Sequence, residues 1–112
     1  YASRIQQAIL TSDDFFSRAF DDHFILFKPK DIVSGDFYWA YQRENKVIWA
    51  VADCTGHGVP GALVSVVCSN SLNQSLKELK TVSTSKILEK TRTLVKDQFK
   101  KIKKLVEQEL RN

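Results

Sequence analysis

Hydrophobic and polar positions alternate with a period of two through Asp36-Phe37-Tyr38-Trp39-Ala40-Tyr41-Gln42-Arg43. This alternation predicts a strand with Phe37, Trp39 and Tyr41 on one face and Tyr38 and Ala40 on the other. Apolar or aromatic material on both faces predicts that this strand is central or covered. The polar tetrad Arg43-Glu44-Asn45-Lys46 leads into the nearly continuous apolar run Val47 to Ala52, so a β-hairpin is the economical reading. A further alternation over His23 to Lys28 predicts another strand, broken by Pro29 and Lys30-Asp31. Three segments instead carry a helical period. Ala2 to Leu10 places Ile5 and Ile9 on one side and ends at Thr11-Ser12-Asp13-Asp14. Val59 to about Leu79 tolerates Pro60 in its first turn and presents Leu63, Val66, Val67, Asn70 and Ser71 as its inward stripe. After the polar stretch Thr81 to Ser85, in which Ser83 or Ser85 is placed to cap, apolar residues recur at three and four from Ile87 to Leu110. That last helix is long, basic and amphipathic, and its far end calls for a partner helix, another copy, or further protein.

Composition narrows the class. The 112 residues are 43% hydrophobic, enough for a folded core and the size of one domain or part of a larger one. Two cysteines, Cys54 and Cys68, are too few for a disulfide framework and form no CxxC pair; Cys68, inside a predicted helix, reads as core. No apolar run or leading segment resembles a membrane span or signal peptide, and the expected location is cytoplasmic. The net charge of +4 is uneven: residues 77–112 carry 11 Lys or Arg against 5 Asp or Glu, and residues 1–76 carry 6 against 8. Lys100, Lys101, Lys103 and Lys104 read first as a solvated helix face. Without interleaved arginine and aromatic residues, nucleic-acid binding is not expected.

The candidate chemistry lies at one end of the predicted hairpin. Asp36 opens the first strand and Asp53 closes the second, so antiparallel pairing brings both carboxylates to the same end. Two nearby oxygen donors suggest a divalent cation, with Asp53 best placed to bridge a pair of ions and Asp36 to hold one directly or through water. The backbone carbonyl of Cys54 is a further candidate ligand. Gly35 precedes the first strand, and Gly56 and Gly58 permit a tight turn. His57 between them is a candidate for phosphate contact or proton donation. Plainer readings stand beside these: a strand-end aspartate that only forms a turn, a purely structural His57, an Asp31 that caps the turn after Pro29, and a His23 at a surface boundary. Cys54 beside His57 has no defined activating geometry and is not read as a nucleophile.

Two motifs, Phe27-Lys28-Pro29-Lys30-Asp31-Ile32-Val33-Ser34-Gly35-Asp36-Phe37-Tyr38-Trp39 and Ala52-Asp53-Cys54-Thr55-Gly56-His57-Gly58-Val59-Pro60-Gly61-Ala62-Leu63, resemble the catalytic domain of stage II sporulation protein E and RsbU serine phosphatases. These belong to the metal-dependent PPM superfamily. The resemblance runs over most of residues 3–99 and includes the Ile5 to Leu10 helix. It implies an α+β fold, an antiparallel β-sheet with flanking helices that forms part of an αββα sandwich. It also implies a centre of two manganese or magnesium ions and hydrolysis of phosphoserine or phosphothreonine by metal-activated water without a covalent enzyme intermediate. Asp36 and Asp53 fall on metal-binding positions of that family and Cys54 on the residue whose carbonyl is a ligand. The implied partners are a phosphorylated anti-sigma-factor antagonist and an upstream sensor domain in a bacterial signalling protein.

The chain departs from the family after Phe99. Where relatives have a Gly-Met-Asp-like motif, more strands and a further metal aspartate, it continues as Lys100 to Leu110. The expected organisation of residues 1–112 is therefore a partial PPM-type domain with a leading helix over 1–12, a metal-loop core over 23–80 and the long amphipathic helix over 83–110. An incomplete sandwich exposes edges and apolar faces, so a homo-oligomer is expected. Two functions follow: a phosphoserine/phosphothreonine phosphatase fragment, weak or inactive alone, or a non-catalytic signalling or dimerisation module with a phosphatase-like front half.

Overall fold

In the computed structural model, residues 8–28, 35–54 and 58–111 are described. The elements run α1 (Asp13–Ala19), β1 (Asp36–Arg43), β2 (Lys46–Asp53), α2 (Gly58–Glu78) and α3 (Thr84–Arg111), an α+β composition. The chain divides into two compact units, Tyr1–Val66 and Val67–Asn112, with the boundary inside α2. Among the described residues, no helix is long and apolar enough to cross a membrane.

In the first unit, β1 and β2 form an antiparallel two-stranded sheet whose register runs from Asp36 opposite Asp53 to Arg43 opposite Lys46. The loop is therefore two residues, Glu44 and Asn45. Glu44 takes φ 57°, the left-handed conformation that glycine or asparagine adopts more easily and that a tight hairpin demands. The predicted alternation holds: Phe37 and Trp39 are buried, and Trp39 stacks on Tyr41. The opposite face carries Tyr38, Trp49 and Val51, and the last two are 64% and 77% exposed.

A helix that the sequence reading passed over covers part of this second face. Thr11-Ser12-Asp13-Asp14 is expected only to end the preceding helix, but Ser12 caps a new one over Asp13–Ala19, its side chain accepting from the Phe15 amide at 3.2 Å. Asp13 and Asp14 occupy its first turn and Arg18 its last, each suited to the helix dipole. Phe16 is buried and meets Tyr38 edge-on, Phe20 and His23. Thr11 forms the tie to the sheet. Its hydroxyl accepts from the Ala40 amide at 2.9 Å and lies 3.4 Å from the Ala40 carbonyl, to which it donates. One side chain thus occupies the outer edge of β1 where a neighbouring strand would pair. Of the predicted leading helix, Ala8 and Ile9 are helical, and the remainder lies outside the described residues.

The expected strand at His23 to Lys28 is not formed. Exposure there does alternate with period two, but the sheet has only two strands among the described residues. Without a ladder partner, an extended segment has no strand hydrogen bonds to make.

The inward face of α2 also differs from expectation. Leu63 and Asn70 are exposed, whereas Ala62, Ser65, Ser69, Leu72, Ser75 and Leu76 are buried. Serine can occupy this stripe because its hydroxyl finds a carbonyl on its own helix: Ser65 donates to Ala62, Ser71 to Val67 and Ser75 to Ser71. Within the second unit, the end of α2 meets the start of α3 through Ser75 and Thr91, 2.9 Å apart, and through the Lys90–Glu78 ion pair at 3.1 Å. A hydrogen bond from Gln74, then Lys90, holds the Glu78 carboxyl below its ordinary pKa. Ile87 is buried, and its amide donates to the Ser83 carbonyl, placing Ser83 at the cap. Cys68, read as core, is half-buried.

Two substitutions test this account. Thr11→Val removes both bonds to Ala40 and is expected to lower stability by about 1–2 kcal/mol in urea unfolding, with Thr11→Ser retaining most of it. Among the described residues Ser69 Oγ is buried without a hydrogen-bond partner, so Ser69→Ala should be neutral or stabilising by up to ~1 kcal/mol, whereas Ser75→Ala should destabilise by about that amount.

Candidate functional site

Asp36 and Asp53 meet because of hairpin register. The amide and carbonyl of Ala40 both engage Thr11, so they point away from β2, and Ala40 with Trp49 is a non-hydrogen-bonded pair. By the two-residue period, Asp36 with Asp53 is another, the class whose Cα atoms approach to about 4.5 Å and whose side chains lie closest. The Cys54 amide donates to the Gly35 carbonyl at 3.3 Å, extending the ladder one step beyond the aspartates. The carboxylates are thus held by paired backbone on both sides rather than by a loose strand end.

Their electrostatics follow from this closeness. Hydrogen bonding with Asp53, then desolvation and the negative charge of Asp53, raise the Asp36 pKa above the ordinary carboxylate value. The pair is a concentrated anionic site at the sheet end, exposed at both residues. Hard oxygen donors on a fixed backbone suit a divalent cation. Among the described residues, no group of three or more His, Cys, Asp or Glu side chains is placed to hold one. The pair is therefore a partial donor set.

The other candidates fall around it. Gly35 is buried next to Asp36, and Cys54 is half-buried next to Asp53. Gly58 begins α2. Gly56 and His57 lie outside the described residues, as does Asp31. His23 is half-buried and stacks on Phe16 at 5.8 Å. What the sequence reading missed is the aromatic wall beside the carboxylates. Phe16 and Phe27 both contact Tyr38, which shares the face of Asp36. A groove of about 710 Å³ runs past Asp36, Tyr38, Trp49 and Val51, with Phe24 and Leu26 on its other side. The capping signal Ser12-Asp13-Asp14 before Phe15 and Phe16 pointed to the helix that builds this wall.

The raised Asp36 pKa gives a pH signature. Because the folded-state pKa of Asp36 is raised, its contribution to stability is present below the unfolded carboxylate value and is lost as pH rises through the raised one. At neutral pH the metal-free pair opposes folding. Asp36→Asn should therefore raise the melting temperature at pH 7 without divalent cations and leave it little changed near pH 3, read by thermal unfolding across that range.

No family model and no curated protein matches the chain. Among solved structures it is similar to the SiaA-PP2C domain of Pseudomonas aeruginosa, at 36% identity and a TM-score of 0.76. The match covers 84% of this chain and 38% of that one, so the chain spans well under half of the solved domain. The described elements and this likeness agree: the chain carries part of the α+β fold of a PP2C/PPM-type phosphatase domain.

Proposed function

We propose that the chain is the metal-binding front part of a metal-dependent phosphoserine/phosphothreonine phosphatase of the stage II sporulation protein E and RsbU kind, acting in bacterial cytoplasmic signalling. The observation that carries this reading is the register pairing of Asp36 with Asp53, close enough that Asp53 raises the Asp36 pKa. The likeness to a PP2C domain supports it. Asp36 and Asp53 would hold manganese or magnesium, with the Cys54 carbonyl as a further donor and Gly35, Gly56 and Gly58 shaping the loop. Such an ion polarises a phosphoryl oxygen and lowers the pKa of water. The chain's own contribution is to keep two carboxylates adjacent on rigid backbone, where a cation would relieve their mutual repulsion. His57 is assigned proton donation or phosphate contact. The substrate class is a phosphoprotein such as a phosphorylated anti-sigma-factor antagonist, and an upstream sensor domain would set the activity.

Two side-chain carboxylates are few for a catalytic centre, so the proposal assigns weak or no turnover to this chain alone. The same observation favours a second reading, a non-catalytic signalling or dimerisation module. Exposed Trp49, Val51, Phe24 and Leu26 beside the carboxylates support association with a further copy.

Manganese is expected to raise the melting temperature of the chain by roughly 5 °C at saturation, a shift lost in Asp53→Asn. Hydrolysis of a phosphoserine peptide should be slow or absent; manganese-dependent turnover abolished by Asp53→Asn would mean that association completes the centre. Manganese stabilisation without turnover fits a fragment of a phosphatase, and neither effect would leave the non-catalytic module.

A further inference from the structure

The long basic helix takes no part in the site. Its first turns are tied down by Ile87, Thr91 and Lys90, but every residue from Lys96 to Arg111 is exposed. Phe99, Ile102, Leu105 and Val106 are among them. At about 100° per residue, these four fall within an arc of roughly 120° that continues the line of Val95. Lys101 and Lys103 stand at its two margins, and Lys96, Lys100 and Lys104 lie behind. Residues 96–104 hold these five lysines and one acidic residue, Asp97.

Charge selects the occupant of this face. A second copy would bring the same lysine cluster against itself, and like charges across a helix pair oppose association. The arc is also broader than the narrow seam that pairs two helices. A planar anionic surface satisfies both features, because apolar side chains enter the acyl boundary while marginal lysines lay their stems along it and reach headgroup phosphates. We infer that residues 95–106 of α3 lie along an anionic lipid surface with the Phe99, Ile102, Leu105 and Val106 arc facing the bilayer. Glu109 interrupts the arc in the next turn, so the inserted stretch ends at Val106. The helix lies on the surface and does not span it, consistent with its polarity.

The test is partitioning of the full chain onto phosphatidylcholine vesicles with and without phosphatidylserine, by cosedimentation. Binding should be at least tenfold tighter with phosphatidylserine and should fall as salt is raised, since each lysine near such a surface contributes about fivefold. Replacing Lys100, Lys101, Lys103 and Lys104 by glutamine should weaken partitioning by roughly several hundredfold. Ile102→Ser with Leu105→Ser should weaken it about tenfold or more at unchanged charge. A Phe99→Trp variant should show blue-shifted emission on the anionic vesicles. Far-UV circular dichroism checks that each variant keeps its helix, and the Phe99→Trp reading stands even if the serine variant unfolds. Equal partitioning on both vesicles, loss through lysine replacement with no Phe99→Trp shift, or binding only to an acidic amphipathic peptide would overturn the inference, the last in favour of a protein partner.

Discussion

Everything proposed for the carboxylates rests on the parity of one antiparallel ladder. Side chains alternate faces along a strand, so Asp36 and Asp53 meet only if the two-residue loop at Glu44-Asn45 keeps its length and the strands keep their register. A slip of one residue would send one carboxylate to the Phe37 and Trp39 face and leave the other alone. The positive φ of Glu44 is a local cost of that constraint, accepted where glycine would sit more easily. The bulky faces also oppose slippage, because moving Trp39 out of its buried position would expose it.

The hairpin was legible because its signals are local and mutually consistent: alternation over Asp36 to Arg43, a polar tetrad, and an apolar run ending in aspartate. The closing pair followed from geometry alone. The two helices after it were legible from their period, with boundaries one to three residues from those found. The faces were harder to read. The expected stripe put Leu63 and Asn70 inward with Ser71, and of these three Ser71 is buried; Ser65 and Ser75 are buried too, because a short hydroxyl can be satisfied within its own helix. No count of apolar residues detects that. The segment His23 to Lys28 failed for the opposite reason: its alternation is real, but strand formation is a property of a pair, and one sequence does not reveal a missing partner. The capped helix at Asp13–Ala19 was readable and was overlooked, because Ser12-Asp13-Asp14 was taken as the end of one helix rather than the start of another.

The site and the groove share a face of the hairpin. Trp49 and Val51 stand on the same side of the hairpin as Asp53, and they are among the most exposed large apolar residues of the first unit. Water reaches the carboxylates along this open face, so a cation there would keep much of its hydration and be held less tightly than in an enclosed centre.

Thr11 gives the sheet a direction. By seating its hydroxyl on both backbone groups of Ala40, it blocks β1 as a template while β2 keeps an unmatched rim among the described residues. Growth of the sheet is therefore one-sided: a strand from elsewhere in a longer protein, or from a neighbour, can join beside Trp49 and Val51 but not beside Ala40. Open-ended stacking of hairpins, which needs two free rims, is thereby interrupted at Ala40.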